Sequence, residues 1–508
     1  MRFGVFKTIR IVHMLLRCYN HVETGTRMTG TFYGRTDLLE EMLELWRNSK
    51  AKLMTCRGRR RIGKSTLVER FAELGKAVFW SFEGLPPHSK MTNQDQLDAF
   101  ARRLAELANV PFRRFESWFD AFKELSERLP RDHRTVLLLD EISWMGKFDP
   151  NFPGELKFAW DKRWHSHAEL VVVVCGSVSS WIDENILSNT GFVGRISLDV
   201  VVPELSIEEA ASFWGKARSR IAPAEIMDVL SVTGGVPRYL EEVDPALSAD
   251  ENIKRMCFRP NGYLFRDFDD IFSTVFAANS VVKRRTLEAL AEGAQEATEL
   301  ASSLGVARNG QFTAMMKELE LAGFVAIEHG FNPESGKRMR MVRYRLRDNY
   351  ARFYLKYVKP HAPEISNGRY AFVSLENLPE WNSIMGLSFE NLVLNNFRML
   401  LKPLHLDGVQ IFSAAPFRKA ADAKGPGVQI DLLVQTRKSV TLVEVKRRAE
   451  IGESIEREVA EKVSKLKVPH TISVRTALIY AGRLSKAVCG NGYFDSIIDA
   501  ASFIRGRG

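Results

Sequence analysis

Three short runs in the first part of the chain predict strands, at positions 52–56, 135–139 and 170–175. The second and third are almost continuously apolar, which is typical of parallel strands buried on both faces, and the first can form a short strand before a loop. A helical period begins directly after the first run, from Thr66 to Phe71. This succession predicts an α/β domain with a parallel sheet.

The pattern changes twice beyond that domain. Residues 205–275 read as a helical lid, and residues 284–346 read as three short helices followed by a hairpin, the order of a winged helix-turn-helix. Near the C-terminus, a helix around Glu390 precedes two strands, 429–434 and 440–446, which are separated by a tight polar turn. The segments predicted from these changes are an N-terminal extension at 1–29, a parallel-sheet core at 30–204, the lid at 205–275, the winged helix at 276–358 and an α/β domain at 380–508.

Composition narrows the class of protein. The 508 residues are 45% hydrophobic and 26% charged, typical of globular proteins of several domains. Lysine and arginine total 72 against 62 acidic residues, a net charge of +10. This excess permits binding to nucleic-acid phosphates, and a merely basic surface is the alternative.

Cysteine usage and hydropathy exclude several other classes. The five cysteines are scattered and never form C-x-x-C, which argues against a disulfide framework or a zinc ribbon. No apolar run reaches the roughly 18 residues of a membrane helix. Residues 1–27 carry too many basic side chains for a secretory signal, and Met28 is an alternative start. We expect a cytoplasmic protein with no membrane partner.

The first run leads into a phosphate-binding motif. The residues that match G-x-x-x-x-G-K-[ST] are Gly58, Arg59, Arg60, Arg61, Ile62, Gly63, Lys64 and Ser65. Glycines let successive backbone N–H groups face the phosphates of ATP, Lys64 reaches the β- and γ-phosphates, and the Ser65 hydroxyl binds Mg²⁺. Thr66 then opens a helix whose N-terminus favours anions.

The second run ends in two acids, Asp140 and Glu141. The end of a parallel strand delivers them beside the phosphate loop, where Asp140 would hold Mg²⁺ and Glu141 would orient or deprotonate the attacking water. The alternative is a core strand that ends in two solvated acids. Farther along the chain, Arg195 could contact the γ-phosphate of a neighbouring subunit and Arg238 that of its own subunit. The alternative is that both are ordinary surface arginines. Ser177 or Ser179 could also sense the γ-phosphate.

Together these motifs resemble a known family. Phe32-Tyr33-Gly34-Arg35, the two Walker motifs, Cys175-Gly176-Ser177, Gly194-Arg195 and Gly234-Gly235-x-Pro237 follow one another as in the prokaryotic archaeal-type ATPases, relatives of the AAA+ and STAND NTPases. The resemblance covers residues 30–275. It implies ATP binding with slow or regulated hydrolysis, and places Arg35 near the adenine.

The winged-helix segment offers candidate DNA contacts. At the start of its third helix these are Arg308, Asn309, Gln311 and Lys317, and on the wing they are Lys337, Arg338 and Arg340. A lid or a protein-contact module is the alternative.

The C-terminal strands carry a second set of chemical groups. Period-two geometry places Glu444 and Lys446 on one face of their strand, where Asp431 of the hairpin partner can meet them. With Glu390, two or three carboxylates would make an all-oxygen Mg²⁺ site, and Lys446 would orient water or stabilise phosphate charge. The alternative is that the acids are salt-bridge partners only.

Phe389-Glu390, Ile430-Asp431 and Glu444-Val445-Lys446 resemble the PD-(D/E)XK nuclease fold, and more closely a domain of unknown function that follows archaeal-type ATPases and winged helices. The sequence therefore predicts an ATPase that couples nucleotide state to a DNA-binding and DNA-cleaving C-terminal region. The alternative function is a STAND-type switch, in which ATP locks a homo-oligomer and the nuclease-like domain is inactive.

Overall fold

The computed structural model describes residues 31–177, 180–275, 280–419 and 427–505. The predicted N-terminal extension and Ser179 lie outside these ranges. The described chain divides into two compact units. The first holds residues 31–57, 64–176 and 181–201, and the second holds residues 58–63, 177, 180 and 202–505.

A five-stranded sheet forms the centre of the first unit, in the order β2-β3-β4-β1-β5. Its strands are β1 (Lys52–Gly58), β2 (Val78–Glu83), β3 (Thr135–Asp140), β4 (Leu170–Ser177) and β5 (Ile196–Val201). Neighbouring strands run parallel in the pairs β2–β3, β3–β4 and β1–β5. Every residue of β3 is buried, as its unbroken apolar run predicted. The prediction of an α/β domain with a parallel sheet is confirmed.

Helices accompany this sheet. The longer ones are Thr36–Leu43, Lys64–Leu74, Asn93–Ala108, Trp118–Arg128 and Phe152–Ala159. Shorter helical segments are Glu44–Arg47, Ile142–Met145, Trp160–Trp164, Ser180–Ile182, Asp183–Leu187 and Thr190–Phe192. Their apolar faces form a core rich in aromatic rings, in which Trp118 packs edge-to-face against Phe152 at 4.9 Å between centroids.

The second unit begins with helices. These are Ile207–Ala210, Ala211–Ser219, Pro223–Thr233, Pro237–Leu240, Ala249–Cys257 and Tyr263–Val275. The Gly234-Gly235 pair connects two of them because a side chain fits at neither position. Gly234 has φ +60°, and a Cβ on Gly235 would lie 2.0 Å from the Leu205 carbonyl oxygen.

Three more helices and a small sheet follow. The helices are Ser280–Ala291, Ala297–Leu304 and Gly310–Leu321, and the strands are β6 (Gln295–Glu296), β7 (Val325–Phe331) and β8 (Arg338–Leu346). The strands pair antiparallel in the order β6-β8-β7. The helices Asn349–Phe353, Tyr354–Val358, Lys359–His361, Ala362–Ser366, Leu375–Asn377, Trp381–Asn395 and Phe397–Leu400 lead to the last sheet.

The C-terminal sheet is mixed and has the order β13-β12-β11-β10-β9. Its strands are β9 (Ile411–Lys419), β10 (Val428–Thr436), β11 (Ser439–Ile451), β12 (Ser473–Leu484) and β13 (Ser496–Asp499). The helices Ser454–Lys465, Lys486–Gly490 and Ala501–Arg505 complete it. β10 and β11 form an antiparallel hairpin, as the sequence predicted, whereas β11, β12 and β13 run parallel.

A register shift in β10 changes which side chains face each side of this sheet. Ile430 and Leu433 are buried in one core, and Leu432 and Val434 in the other. Residues two apart normally share a face, so the irregularity between Ile430 and Leu433 marks a bulge. Asp431 lies within it.

One hydrophobic cluster extends from Leu205 to Ile504 and includes residues of all three segments predicted as separate domains. Phe268 of the helical segment stacks on Tyr354, and its ring also meets Phe324 beside β7. Sharing this cluster increases the apolar area that each segment buries, which stabilises all three, and the C-terminal segment has a further cluster of its own around Ile430 and Leu433. None of the helices in the described part of the chain combines the length and the apolar character needed to traverse a bilayer.

Candidate nucleotide site and carboxylate–lysine cluster

The phosphate-binding motif lies where β1 ends and the helix Lys64–Leu74 begins. Gly63 has φ +77°, a left-handed conformation that a larger residue adopts only with strain. At Gly58 a Cβ would lie 2.9 Å from the Val202 carbonyl oxygen, so this position also requires glycine. The loop therefore enters the helix at its N-terminus, where backbone N–H groups favour an anion.

Ser65 and Asp140 meet in the first unit: the Ser65 hydroxyl donates a hydrogen bond to Asp140 Oδ2. Asp140 Oδ1 accepts a second bond from the Glu141 backbone N–H at 2.9 Å. Lys64 is buried, and both its charge and that of Asp140 act on the nearby Cys175 thiol. Burial, followed by Cys56 and Asp140, raises the pKa of Cys175, while Lys64 opposes that shift. The structure thus brings together the hydroxyl, carboxylate and ammonium groups that the two motifs predicted.

Glu141 occupies an unusual backbone position directly after β3. Its φ is +46°, in the left-handed region, and it precedes the short helix Ile142–Met145. A non-glycine residue in this conformation costs free energy that the surrounding fold has to supply. The side chain is neither fully buried nor fully exposed, and its proposed action on water stays a prediction.

The arginines of the motif have acidic partners within the second unit. Arg59 forms ion pairs with Glu204 at 3.1 Å and Asp348 at 2.6 Å, and Arg61 forms one with Asp267. Burial alone would lower the pKa of Arg59, but Asp348, Tyr239 and Glu204 together raise it above its ordinary value. Arg59 is therefore a firmly charged, buried cation, while Arg60 is half-buried.

The predicted phosphate-sensing arginines are both paired. Arg195 makes two hydrogen bonds to Asp161, at 2.7 and 3.0 Å, and this contact is the main reason that the pKa of Asp161 falls to about 2. Arg238 pairs with Glu241 and Glu242 and lies 4.3 Å from the centre of the Tyr263 ring. Arg61 approaches the same ring at 5.1 Å. Contact of either sensor with a γ-phosphate stays a prediction.

The other candidate binding residues differ in exposure. Arg35 is buried and left-handed, with φ +59°, and caps the helix Thr36–Leu43. Ile62 is buried and Thr66 is exposed. All the candidate DNA contacts are exposed, namely Arg308, Asn309, Gln311, Lys317, Lys337, Arg338 and Arg340.

Two carboxylates and two lysines gather in the C-terminal sheet, and we call Asp431, Glu444, Lys446 and Lys462 the carboxylate–lysine cluster. Glu444 is completely buried. Its Oε1 accepts from Lys446 at 2.6 Å and from Lys462 at 2.7 Å, and its Oε2 accepts from Lys462 at 2.6 Å. Asp431 Oδ2 accepts from the Val445 backbone N–H at 2.8 Å. The predicted shared face of Glu444 and Lys446 is thus observed.

Burial and mutual repulsion raise the pKa values of two acids in this region, Glu390 and Asp431. Burial, and then the charge of Asp431, raises the pKa of Glu390 to about 8, against the opposing effect of Arg345 and Arg352. Burial, and then Glu444, raises the pKa of Asp431 to about 6, although Lys462 and Lys446 oppose the shift. A cavity of about 610 Å³ lies beside these groups. It is lined by Glu390, Asp431, Lys446 and Lys462, and also by Arg447, Arg448 and Lys465.

The predicted metal set at Glu390, Asp431 and Glu444 is not assembled. Among residues 31–177, 180–275, 280–419 and 427–505, no three histidine, cysteine or acidic side chains are close enough together to hold a metal ion. The two lysines already occupy both oxygens of Glu444, so this arrangement does not fit a divalent cation.

Sequence reasoning missed Lys462. This lysine lies on the helix Ser454–Lys465, on the same side as the fully buried Ile455 and Val459. The spacing i, i+4, i+7 identifies one helical face, and a lysine on an apolar face signals a buried acid opposite it. That signal was available in the sequence.

Comparison with known proteins supports the first unit's assignment. Residues 32–243 match the model of an ATPase domain found predominantly in Archaea. An uncharacterized protein of Methanocaldococcus jannaschii is 23% identical over 363 residues, which cover 71% of this chain and 75% of that protein.

Solved structures resemble the chain more distantly. A Walker-type ATPase of Pyrococcus abyssi aligns with 66% of this chain and 99% of its own, at 14% identity and a TM-score of 0.45. The ORC2 protein of Aeropyrum pernix, in its ADPNP–ADP complexes, aligns with 69% and 97% at 14% identity and a TM-score of 0.43. With the two Walker motifs on a parallel sheet and the match over residues 32–243, the chain carries an archaeal-type P-loop ATPase domain.

Proposed function

We propose that this chain binds ATP with Mg²⁺, hydrolyses it, and couples its nucleotide state to a DNA-binding C-terminal region. The observation that carries the proposal is the contact between Ser65 and Asp140. A hydroxyl and a carboxylate side by side suit Mg²⁺, which takes one or two protein oxygens and completes its coordination with phosphates and water.

Each group of the site has a distinct role. Ser65 and Asp140 would hold Mg²⁺, which neutralises charge on the phosphate oxygens when it is bound. Lys64 pairs with the β- and γ-phosphates, and the N–H groups of the Gly58–Gly63 loop bind the remaining oxygens. Glu141 accepts a proton from the attacking water, whose oxygen forms a bond to the γ-phosphorus. The bond between that phosphorus and the β,γ-bridging oxygen breaks, its electron pair leaves with ADP, and inorganic phosphate is the second product.

ATP turnover and ATP retention test the hydrolytic assignment. Lys64→Ala should abolish both, whereas Glu141→Gln should retain ATP while its turnover falls by about a hundredfold or more. Glu127→Gln, at an exposed position of the same unit, is the matched control and should behave as the wild type. Unchanged turnover in Glu141→Gln would contradict the assignment of Glu141.

The DNA-binding part of the proposal rests on the exposed basic side chains around the helix Gly310–Leu321 and the β7–β8 hairpin. Phosphate contacts by Arg338 and Arg340 would release counterions, so affinity should fall with salt and the slope should shrink by about one per arginine removed. Arg437→Gln, also exposed, is the control. DNA affinity that is independent of salt would count against this part.

A sharper version assigns DNA cleavage to Asp431, Glu444 and Lys446, and it requires Glu444 to release its two lysines so that a metal ion can bind. A second candidate is a nucleotide switch whose C-terminal domain cuts nothing. It is favoured by the engagement of Glu444 with Lys446 and Lys462, which gives the acid a structural role. In this version ATP would lock a homo-oligomer.

Incubation of supercoiled DNA with Mg²⁺ or Mn²⁺, with and without ATP, separates the two candidates. Cleavage by the wild type that is lost in Glu444→Gln and retained in Glu376→Gln, an exposed control, would establish the nuclease. Absence of cleavage, together with oligomers that form only with ATP and wild-type Lys64, would establish the switch.

A further inference from the structure

Four arginines line a second cavity in the C-terminal unit, of about 380 Å³. Arg343 and Arg345 come from β8, Arg352 from the helix Asn349–Phe353, and Arg418 from β9. We call these four residues the arginine cavity. Their guanidinium groups carry planar arrays of donors that match the oxygens of phosphate.

The arginines have few acidic partners. Arg345 pairs with Glu328 at 2.6 Å. Arg343 donates instead to the Ala294 carbonyl at 2.8 Å, and Arg352 donates to the carbonyls of Ala291 and Leu346. A main-chain carbonyl satisfies an N–H group but does not neutralise the charge of the guanidinium.

Donors also remain unused in this cavity. Within the described residues, the Nε atoms of Arg343 and Arg352 are inaccessible to solvent and have no hydrogen-bond partner. Arg352 is only 2% exposed. A buried donor without a partner is costly, and more so on a charged group.

The charge balance of the wall points the same way. Its acids are Glu292, which is exposed, Glu328, which is paired with Arg345, and Glu390. Three acids therefore face four arginines on this wall. Burial, and then the charge of Arg345, lowers the pKa of Arg352 to about 10, although Glu390 and Glu292 oppose the shift.

We propose that the arginine cavity binds the phosphate of a phosphomonoester, carried either by a free nucleotide or by the 5′ end of a nucleic-acid strand. The doubly negative phosphate supplies the charge that Arg343, Arg352 and Arg418 do not receive from an acid among the described residues, and its oxygens accept from several of the four guanidinium groups. The volume holds a phosphate together with part of the attached sugar.

The arginine cavity adjoins the cavity of the carboxylate–lysine cluster. Leu387, Glu390 and Gln429 line both cavities. A phosphate held by the arginines would therefore keep the rest of its strand or nucleoside beside Asp431 and Lys446. Phosphate binding in this cavity requires neither ATP turnover nor DNA cleavage.

The test measures binding to the full-length protein with its P-loop saturated by ADP and Mg²⁺, so that phosphate has no access to Lys64. The probes are inorganic phosphate, deoxyadenosine monophosphate, and a labelled single-stranded oligonucleotide with either a 5′-phosphate or a 5′-hydroxyl. The variants are Arg343→Gln and Arg418→Gln; the latter changes an exposed side chain and should leave folding intact. Arg437→Gln removes the same charge from an exposed turn and is the control.

We expect phosphate to bind the wild type and Arg437→Gln, and to bind each cavity variant about tenfold or more weakly. The 5′-phosphate oligonucleotide binding more tightly than deoxyadenosine monophosphate would identify a strand end as the ligand, and equal affinity would identify a free nucleotide. Equal binding of the 5′-phosphate and 5′-hydroxyl strands, or phosphate binding that the two cavity variants leave unchanged, would overturn the proposal. Phosphate binding that is lost in Lys64→Ala and retained in Arg418→Gln would place the phosphate at the P-loop and would also overturn the proposal.

Discussion

Arg59, in the phosphate-binding motif, forms a buried ion pair with Asp348, which lies 2.6 Å away and caps the helix Asn349–Phe353. Asp348 Oδ1 accepts from the Ala351 N–H at 3.0 Å, so this one carboxylate serves both a helix end and an arginine of the nucleotide loop. Burial raises the pKa of Asp348, and Arg59 opposes that rise. The link gives the loop a fixed connection to the helix that follows β8.

Asp348→Asn should destabilise the protein by about 3 kcal/mol, because it leaves a buried guanidinium without one of its two carboxylates. The asparagine side chain can still accept the hydrogen bond from the Ala351 N–H, so the loss of stability measures the ion pair and not the helix cap. Denaturant unfolding measures the difference.

A double-mutant cycle with Arg59→Met isolates the pair. The double variant should lose less stability than the two single variants added together, because Asp348 has no ion pair left to lose once Arg59 is absent. Glu44→Gln, in an exposed pair with Arg47, is the control and should change stability by less than about 1 kcal/mol. Additive losses in the cycle would contradict the proposed pairing.

Gly235→Ala should cost about 3 kcal/mol or more, because its Cβ would overlap the Leu205 carbonyl oxygen. The two backbones cannot separate freely, since the Leu205 N–H donates to the Gly235 carbonyl at 2.8 Å. Thermal unfolding of the variant measures the cost. Gly310→Ala, where a Cβ meets nothing within 4 Å, should be neutral or slightly stabilising. Equal effects at the two positions would refute close packing as the reason for the Gly234-Gly235 motif.

The ATPase core was predictable because its signals are local. A buried parallel strand appears as an apolar run, and the phosphate-binding motif is contiguous from Gly58 to Ser65. Asp140 follows from the same logic, since a parallel strand delivers its last residue to one edge of the sheet. Its bond to Ser65 is the geometry that this reasoning implied.

The C-terminal site was predictable only in part, because it depends on contacts between distant segments. Alternation along β11 placed Glu444 and Lys446 correctly on one face. The bulge at Asp431 depends on how β10 pairs with β9, and the arginine cavity combines residues of β8, β9 and a helix. Contacts between segments that are distant in sequence leave no periodic pattern in the sequence, so neither the bulge nor the arginine cavity was predicted.

Replacing both lysines of the carboxylate–lysine cluster should lower the free energy of unfolding more than replacing Glu444. Lys446→Met/Lys462→Met leaves the fully buried Glu444 without a cation, which should cost about 3–5 kcal/mol. Glu444→Gln leaves two ammonium groups whose side chains are 19% and 23% exposed and can turn toward water, so about 1–2 kcal/mol is expected. Denaturant unfolding without divalent ions compares the two, and a larger loss in Glu444→Gln would show that the acid does not depend on these lysines.

Glu390 should make the protein less stable as pH rises. Its folded pKa of about 8 lies above the ordinary value of 4.5, first because of burial and then because of Asp431. The unfolded chain therefore releases the proton earlier, and the stability that the protonated side chain supplies is present below about pH 4.5 and lost progressively as pH approaches 8. Glutamine mimics the protonated form and does not titrate.

Melting temperatures of the wild type and Glu390→Gln between pH 5 and 8.5 measure this effect. The melting temperature of the variant should rise relative to that of the wild type as pH increases through this range, and the difference should level off above about pH 8. All other ionisable residues are common to both proteins, so the difference between the two curves reports Glu390 together with the charged groups that interact with it, Asp431 first. Glu376→Gln, at an exposed position, should follow the wild-type curve. Parallel curves for Glu390→Gln and the wild type would mean that Glu390 is already ionised in the folded protein at neutral pH, and that the arginine cavity is closer to charge balance than its wall residues indicate.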